Sequence, residues 1–247
     1  MGQWVVVPHK DSQYIKAILD FLLPEFERLF GKETMHGETC FIFNDPDAPC
    51  PSFMHKNPLF IRLHQSKLTY WCQTIYQLSH ELTHYALRQS KQDKRYSLRW
   101  FEEIVCEGMS LYILEYAAHH WELCSLSKTS PGFALSIARY VKNESSRGEA
   151  TNGLSECTTI SKLQAYEQNR DAENKRETHK KETNAMYRAI CLAPEAVECF
   201  TCYQKYLIGD HRLLFDFDKW MADYPNNPLL KALQKMQPKI PSKKKSS

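Results

Sequence analysis

No apolar run in the 247-residue sequence is long enough to cross a membrane. A spanning helix needs roughly 20 consecutive apolar residues, and Asp20 and Glu115 interrupt the longest candidate runs. Residues 1–8 have neither the basic leader nor the small-residue cleavage site of a secretory signal peptide. We therefore expect a cytoplasmic protein that has no membrane partner.

The sequence also lacks an excess of one charge. Its 32 basic and 29 acidic residues give a net charge of +3, and three of the lysines lie within residues 241–247. Without these three lysines the net charge is zero. A protein that binds nucleic acid usually carries a positive field over its folded part. We therefore expect no nucleic-acid partner, and we expect residues 241–247 to form a flexible basic tail.

A disulfide framework is absent as well. The nine cysteines are an odd number without regular spacing, in a chain long enough to bury a core without cross-links. Cys199 and Cys202 form a CxxC pair, but no second pair or histidine pair lies near them to complete a metal site. We expect reduced thiols throughout. The 43% hydrophobic and 25% charged residues are typical of a folded globular protein.

The order of hydrophobic patterns predicts the fold class. Short β-type runs, with one helical pattern that ends at Gly31, occupy residues 1–67, and helical patterns follow from Leu68 onward. The predicted strands are 4–7, 40–43 and 59–64, and the predicted later helices are 68–91, 97–124, 131–143, 155–166, 183–207 and 215–236. Strands followed by helices are typical of an α+β fold.

The clearest chemical motif is His80-Glu81-Leu82-Thr83-His84. On a helix, positions 80 and 84 lie one turn apart on the same side, so both imidazoles can bind one metal ion, and the geometry suits Zn²⁺. Glu81 is rotated by about 100° from His80, which is the position of a general base. An apolar stripe on the opposite side of the helix is formed by Trp71, Ile75, Leu78 and Leu82.

A catalytic zinc site needs a third protein ligand and an open position for water. The next predicted helix offers Glu103 and Glu107 on one face, one turn apart, while Glu102 points to the side. Two carboxylates in this arrangement indicate a bound cation or a buried partner. Both Glu103 and Glu107 are therefore candidates for the third ligand.

These residues resemble the gluzincin metallopeptidases, the zincin branch that includes thermolysin and the membrane-alanyl aminopeptidases. The pattern His80-Glu81-x-x-His84, then 18 residues, then Glu103 reproduces the family spacing, and residues 100–103 are similar to its Trp-x-x-Glu segment. The resemblance is confined to residues 70–112. It implies that His80, His84 and Glu103 bind zinc, that Glu81 is the general base, and that Glu107 orients one of the histidines.

An alternative alignment stays open. Glu107-Gly108 is similar to a Glu-Gly pair of the same family, in which case Glu107 would be the third ligand.

The resemblance also implies a fold, a function and a partner. The fold would be zincin-like, with residues 1–124 forming the catalytic half and residues 125–240 a mainly helical half that closes the cleft. The function would be zinc-dependent hydrolysis of peptide bonds in a peptide or protein substrate, with a metal-activated water and Glu81 as base. The predicted strand 59–64 would line the cleft and bind an extended peptide through its backbone.

Two other functions fit the same residues. In the first, the protein is a catalytically inactive zincin-like binding or regulatory module. In the second, it is a helical interaction protein in which His80 and His84 satisfy buried polar groups without metal. We expect the remaining histidines to lie at the surface and assign no function to the polar run 167–183. Downstream candidates for an oxyanion-stabilising group, as gluzincins often have, are Tyr140, Tyr166, Tyr187 and His211.

Overall fold

The computed structural model describes residues 2–48, 52–56, 58–89, 93, 96–146, 153–168 and 179–240. The predicted basic tail and residues 169–178 of the polar run lie outside these ranges. Six strands are present among the described residues: β1 Trp4–Val6, β2 Cys40–Asn44, β3 Phe53–Lys56, β4 Leu59–Leu63, β5 Leu207–Ile208 and β6 Leu214–Phe215. The predicted mixture of a small sheet and many helices, an α+β fold, is confirmed.

The helices follow the predicted order, with shorter bounds. They are α1 Ser12–Phe30, α2 Lys32–Met35, α3 Trp71–Gln89, α4 Arg99–His119, α5 Phe133–Ser146, α6 Ile160–Gln168, α7 Lys180–Leu192, α8 Phe217–Asp223 and α9 Pro228–Met236. The predicted helix 183–207 is split, because Pro194 begins a separate 3-10 segment, Pro194–Tyr206. Gly31 ends α1 with a φ of 83°, a conformation that favours glycine.

The first four strands form one sheet in the order β1-β2-β4-β3. β1, β2 and β4 run parallel, and β3 pairs antiparallel with β4 at the edge. Alternate residues of β4 are buried, as expected for a strand with one face on the core. The prediction that residues 59–64 bind an extended peptide through their backbone is wrong, because β4 is an inner strand whose two edges are occupied by β2 and β3.

The helix pair α3 and α4 is at the centre of the molecule. α3 also contacts the sheet and α1, and α4 also contacts α5 and α7. The apolar residues of both helices belong to one hydrophobic core, to which residues before and after position 124 contribute. Among the described residues, no helix is both long enough and apolar enough to span a bilayer.

The N-terminus of α4 is held by a side chain that is distant in sequence. The Glu167 carboxylate, from α6, accepts hydrogen bonds from the backbone N–H groups of Arg99 at 2.7 Å and Trp100 at 3.0 Å. These N–H groups have no partner within the helix, and a carboxylate also complements the positive end of the helix dipole. Glu167, to which the sequence analysis assigned no function, thus fixes the first turn of α4, which carries Glu102 and Glu103.

Gly108 allows α4 and α7 to approach closely. A Cβ at this position would lie 3.0 Å from Met186 Cγ and 3.3 Å from the backbone nitrogen of Tyr187. These separations are shorter than ordinary van der Waals contact. The glycine therefore sets the spacing between α4 and the middle of α7.

We expect Gly108→Ala to lower the free energy of unfolding by about 1–2 kcal/mol, because overpacking against α7 outweighs the better helix propensity of alanine. Gly132→Ala is the matched control, since nothing lies within 4 Å of a Cβ at that position. Its effect should stay within about 0.5 kcal/mol. Urea denaturation of the three proteins measures both values, and equal stability of the two variants would contradict the packing argument.

Candidate metal centre

His80 and His84 lie on the side of α3 that faces α4. Their ring centroids are 4.9 Å apart with an interplanar angle of 70°. The apolar stripe on the other side of α3 packs into the core, where Ile75, Leu78 and Leu82 are fully buried. His80 itself is only 5% exposed. The sequence therefore buries both faces of this helix, with the imidazoles directed at the neighbouring helix.

Glu103 of α4 lies opposite both histidines. Its Oε2 is 3.3 Å from His80 Nε2, and its Oε1 is 3.5 Å from His84 Nε2. In a tetrahedral zinc site with metal–ligand bonds of about 2.0–2.1 Å, two ligand atoms are about 3.3 Å apart. Each Nε2 thus faces a different oxygen of the same carboxylate, at a separation close to this value. The Glu103 side chain is 34% exposed, so the group can be reached from solvent.

The electrostatics of these three residues are coupled. Burial alone would raise the pKa of Glu103, but contacts with His80 and His84 lower it well below its ordinary value. Burial alone would lower the pKa of His84, whereas contacts with Cys106, Glu102 and Glu103 raise it well above its ordinary value. The site therefore favours an anionic carboxylate together with positive charge between the helices, which a bound metal ion would also supply.

Glu102 supports His84 from the other ring nitrogen. Glu102 Oε2 lies 3.4 Å from His84 Nδ1, and the hydroxyl of Tyr203 donates a hydrogen bond to Glu102 Oε1. The Tyr203 hydroxyl in turn accepts from the backbone N–H of Leu98 at 3.3 Å. Neither Glu102 nor Tyr203 is among the site residues predicted from the sequence. No local pattern could have identified Tyr203, which is 101 residues from Glu102.

Cys106 is a second residue that the sequence analysis missed. One nitrogen from each of His80 and His84 and the Cys106 Sγ all lie within 4.8 Å of one another, a separation at which the three could hold a metal ion. Burial raises the pKa of the free Cys106 thiol to about 12. The signal was present in the sequence, because position 106 follows Glu103 by three residues and therefore lies on the same face of α4.

Glu107, the alternative third ligand, lies in a neighbouring polar cluster. Its carboxylate forms an ion pair with His179, at 3.4 Å between Oε1 and Nε2, and accepts a hydrogen bond from Thr183 Oγ1 at 3.2 Å. His179 is only 5% exposed, so the expectation that it lies at the surface is wrong. Burial alone would lower the pKa of His179, but Glu107, Glu103 and Glu182 raise it.

Glu81 and Nδ1 of His80 are the remaining polar groups of the motif. Glu81 is buried, and its carboxylate is close enough to Cys40 of β2 to contribute to the raised pKa of that thiol, after the larger effect of burial. Nδ1 of His80 has no hydrogen-bond partner among the described residues. The predicted support of a histidine by Glu107 is therefore not present at this nitrogen.

Three of the four downstream candidates have other contacts. The Tyr187 hydroxyl donates to Glu115, and His211 Nδ1 is hydrogen-bonded to Gln164 at 2.9 Å. Tyr140 packs its ring against Tyr76. None of these contacts places a hydroxyl or imidazole beside Glu103. Cys199 and Cys202, like the other six cysteines among the described residues, are free thiols.

We expect His179→Gln to destabilise the metal-free protein more at pH 6 than at pH 9. Because the pKa of His179 is raised in the folded state, its contribution is fully present below the unfolded pKa of about 6.5 and is lost as the pH rises through the folded value. Loss of the contact with Glu107 should lower the free energy of unfolding by about 2 kcal/mol at pH 6.

Urea denaturation in the presence of a chelator measures this difference at both pH values. The exposed His120 provides the control, since His120→Gln should change stability by less than about 0.5 kcal/mol at either pH. A destabilisation by His179→Gln that is the same at pH 6 and pH 9 would show that the ion pair with Glu107 does not contribute.

Comparisons of this chain with protein-family models, with curated proteins and with solved structures found no match. The assignment of the centre therefore depends on the geometry of its own side chains.

Proposed function

We propose that the protein is a zinc-dependent metallopeptidase whose metal centre is formed by His80, His84 and Glu103. The observation that carries this proposal is the position of one Glu103 carboxylate within 3.5 Å of both Nε2 atoms of an HExxH helix. The donors come from two different helices, and each Nε2 lies at about the separation of two zinc ligands from one oxygen of the carboxylate. The partly exposed Glu103 leaves access for a substrate.

The surroundings of His84 support a metal-binding role for its Nε2. A carboxylate at Nδ1 favours the tautomer that carries its proton there, which leaves the lone pair of Nε2 available to a metal. Glu102 is in this position, and Tyr203 fixes Glu102 in turn. Such partners orient the imidazole and increase its basicity as a ligand.

Zinc, when bound, would lower the pKa of a coordinated water and polarise the substrate carbonyl. Glu81 would accept the proton of the attacking water and return it to the leaving amine as the peptide bond breaks. Glu81 is suited to this role because it directly follows His80, on a helix that is buried on both sides. Its burial also protects the carboxylate from competing solvent.

The sheet offers a place for an extended substrate. β3 is the edge strand and, in the described part of the chain, pairs only with β4. Its outer backbone groups could therefore bind a peptide as an additional strand. We propose β3, in place of the inner strand β4, as the strand that binds substrate.

Three variants should separate the proposed roles. Glu81→Gln should keep its zinc while peptide hydrolysis falls by about 10²–10⁴-fold. Glu103→Ala should lose the zinc itself, because only two protein ligands of the proposed set would remain. Glu107→Ala should retain zinc, since its carboxylate is engaged with His179 and Thr183.

Zinc content after dialysis and hydrolysis of a peptide library measure these effects, with the exposed Glu122→Gln as control. Equal zinc loss in Glu81→Gln and Glu103→Ala would contradict the division of roles. Greater loss in Glu107→Ala than in Glu103→Ala would make Glu107 the third ligand.

Wild-type protein purified without a histidine tag should contain about one zinc per chain and should cleave denatured proteins, and a chelator should abolish the cleavage. Absence of metal would instead support a helical interaction protein. Stoichiometric zinc without cleavage of any library member would support an inactive binding or regulatory module.

A further inference from the structure

Cys106 is placed like a ligand of the same centre. Its side chain is fully buried. It lies on the same face of α4 as Glu103, which precedes it by about one turn. Its Sγ and one nitrogen of each of His80 and His84 lie within 4.8 Å of one another. With bonds of about 2.3 Å to sulfur and about 2.05 Å to nitrogen, the sulfur and nitrogen atoms of a tetrahedral site are about 3.6 Å apart. Side-chain adjustments of about 1 Å would bring the sulfur to that separation.

His80 is a second buried polar group beside this sulfur. Its side chain is only 6% exposed, and its Nδ1, the ring nitrogen that does not face Glu103, has no hydrogen-bond partner among the described residues. Buried ring nitrogens are usually hydrogen-bonded or bound to metal. An ordinary apolar environment for Cys106, the commonest setting of a buried cysteine, would not place two imidazoles beside its sulfur.

We propose that Cys106 is a thiolate ligand of the metal centre, so that the resting protein holds the ion with four side chains, His80, His84, Glu103 and Cys106. This inference rests on the proposed function in that it concerns the same ion. The thiol releases its proton to solvent as the sulfur–metal bond forms.

Four protein ligands close a zinc site, whereas a catalytic site keeps one position open. Cys106 would therefore occupy the position that a catalytic water needs. The sulfur donor also gives the centre a preference for soft, thiophilic ions over hard ones that bind oxygen.

The test uses the full-length protein loaded with Co²⁺, whose thiolate complexes show an intense charge-transfer band in the near ultraviolet. We expect this band in the wild-type protein and its loss in Cys106→Ser and Cys106→Ala. The double variant Cys199→Ser/Cys202→Ser is the matched control. It removes the two thiols of the CxxC pair, which are not part of the proposed centre, and should therefore retain the band. Cd²⁺ affinity should fall at least tenfold in Cys106→Ser, while Mn²⁺ affinity stays unchanged.

X-ray absorption of the zinc-loaded wild-type protein gives a reading that does not depend on any variant. We expect one sulfur neighbour at about 2.3 Å. A first shell of nitrogen and oxygen only would overturn the proposal and leave Cys106 as a core residue, as would a charge-transfer band that persists in Cys106→Ser.

The outcomes also separate this inference from the proposed function. A band that depends on Cys106, in a protein without peptidase activity, would support the thiolate ligand and remove the hydrolase. Peptidase activity with no sulfur at the ion would do the reverse. Failure of the wild-type protein to bind Co²⁺ or Zn²⁺ would overturn both.

Discussion

The burial of three carboxylates in the first three turns of α4 is the constraint on which the rest of the structure depends. Glu102 and Glu107 are almost fully buried, and the side chain of Glu103 is 34% exposed. An anion removed from water is strongly destabilising unless a cation or hydrogen-bond donors compensate it. Each of the three carboxylates accordingly meets a partner from a different part of the chain.

These partners and the three carboxylates form two neighbouring polar sites. Glu103 meets the imidazoles of α3, Glu102 is supported by Tyr203, and Glu107 is paired with His179. The first two belong to the proposed metal centre, and the third fixes the start of α7 against α4. Since Gly108 follows Glu107 directly, the close helix contact and the buried ion pair depend on the same turn of α4.

Much of this arrangement can be predicted from the spacing of residues that are close in sequence. The apolar stripes of α3 and α4 and the change from strand-like to helical segments were sufficient to predict the α+β class, and helical periodicity placed both histidines on one side of α3. β3 was not predicted, because a four-residue strand in a proline-rich region is stabilised by its pairing with β4 and not by its own sequence. The split at Pro194 was missed for a different reason, since the apolar spacing continues across it.

The partners of the carboxylates could not be predicted in the same way. Tyr203 and His179 meet α4 only through the packing of the second half of the chain, and neither has a neighbouring residue that marks it as polar and buried. Cys106 is the exception, because helical spacing alone places it beside Glu103.

The hydrogen bond from Tyr203 to Glu102 gives the second half of the chain a mechanical link to the first. The 3-10 segment that carries Tyr203 also packs its aromatic rings against Phe101 and Trp220, so its position depends on the whole carboxy-terminal layer. Any displacement of that layer, by a binding partner or by a substitution far from α3, would pull on Glu102 and turn the ring of His84. The orientation of this imidazole is thus set by residues more than a hundred positions away, and its affinity for an ion would report on the integrity of the entire molecule.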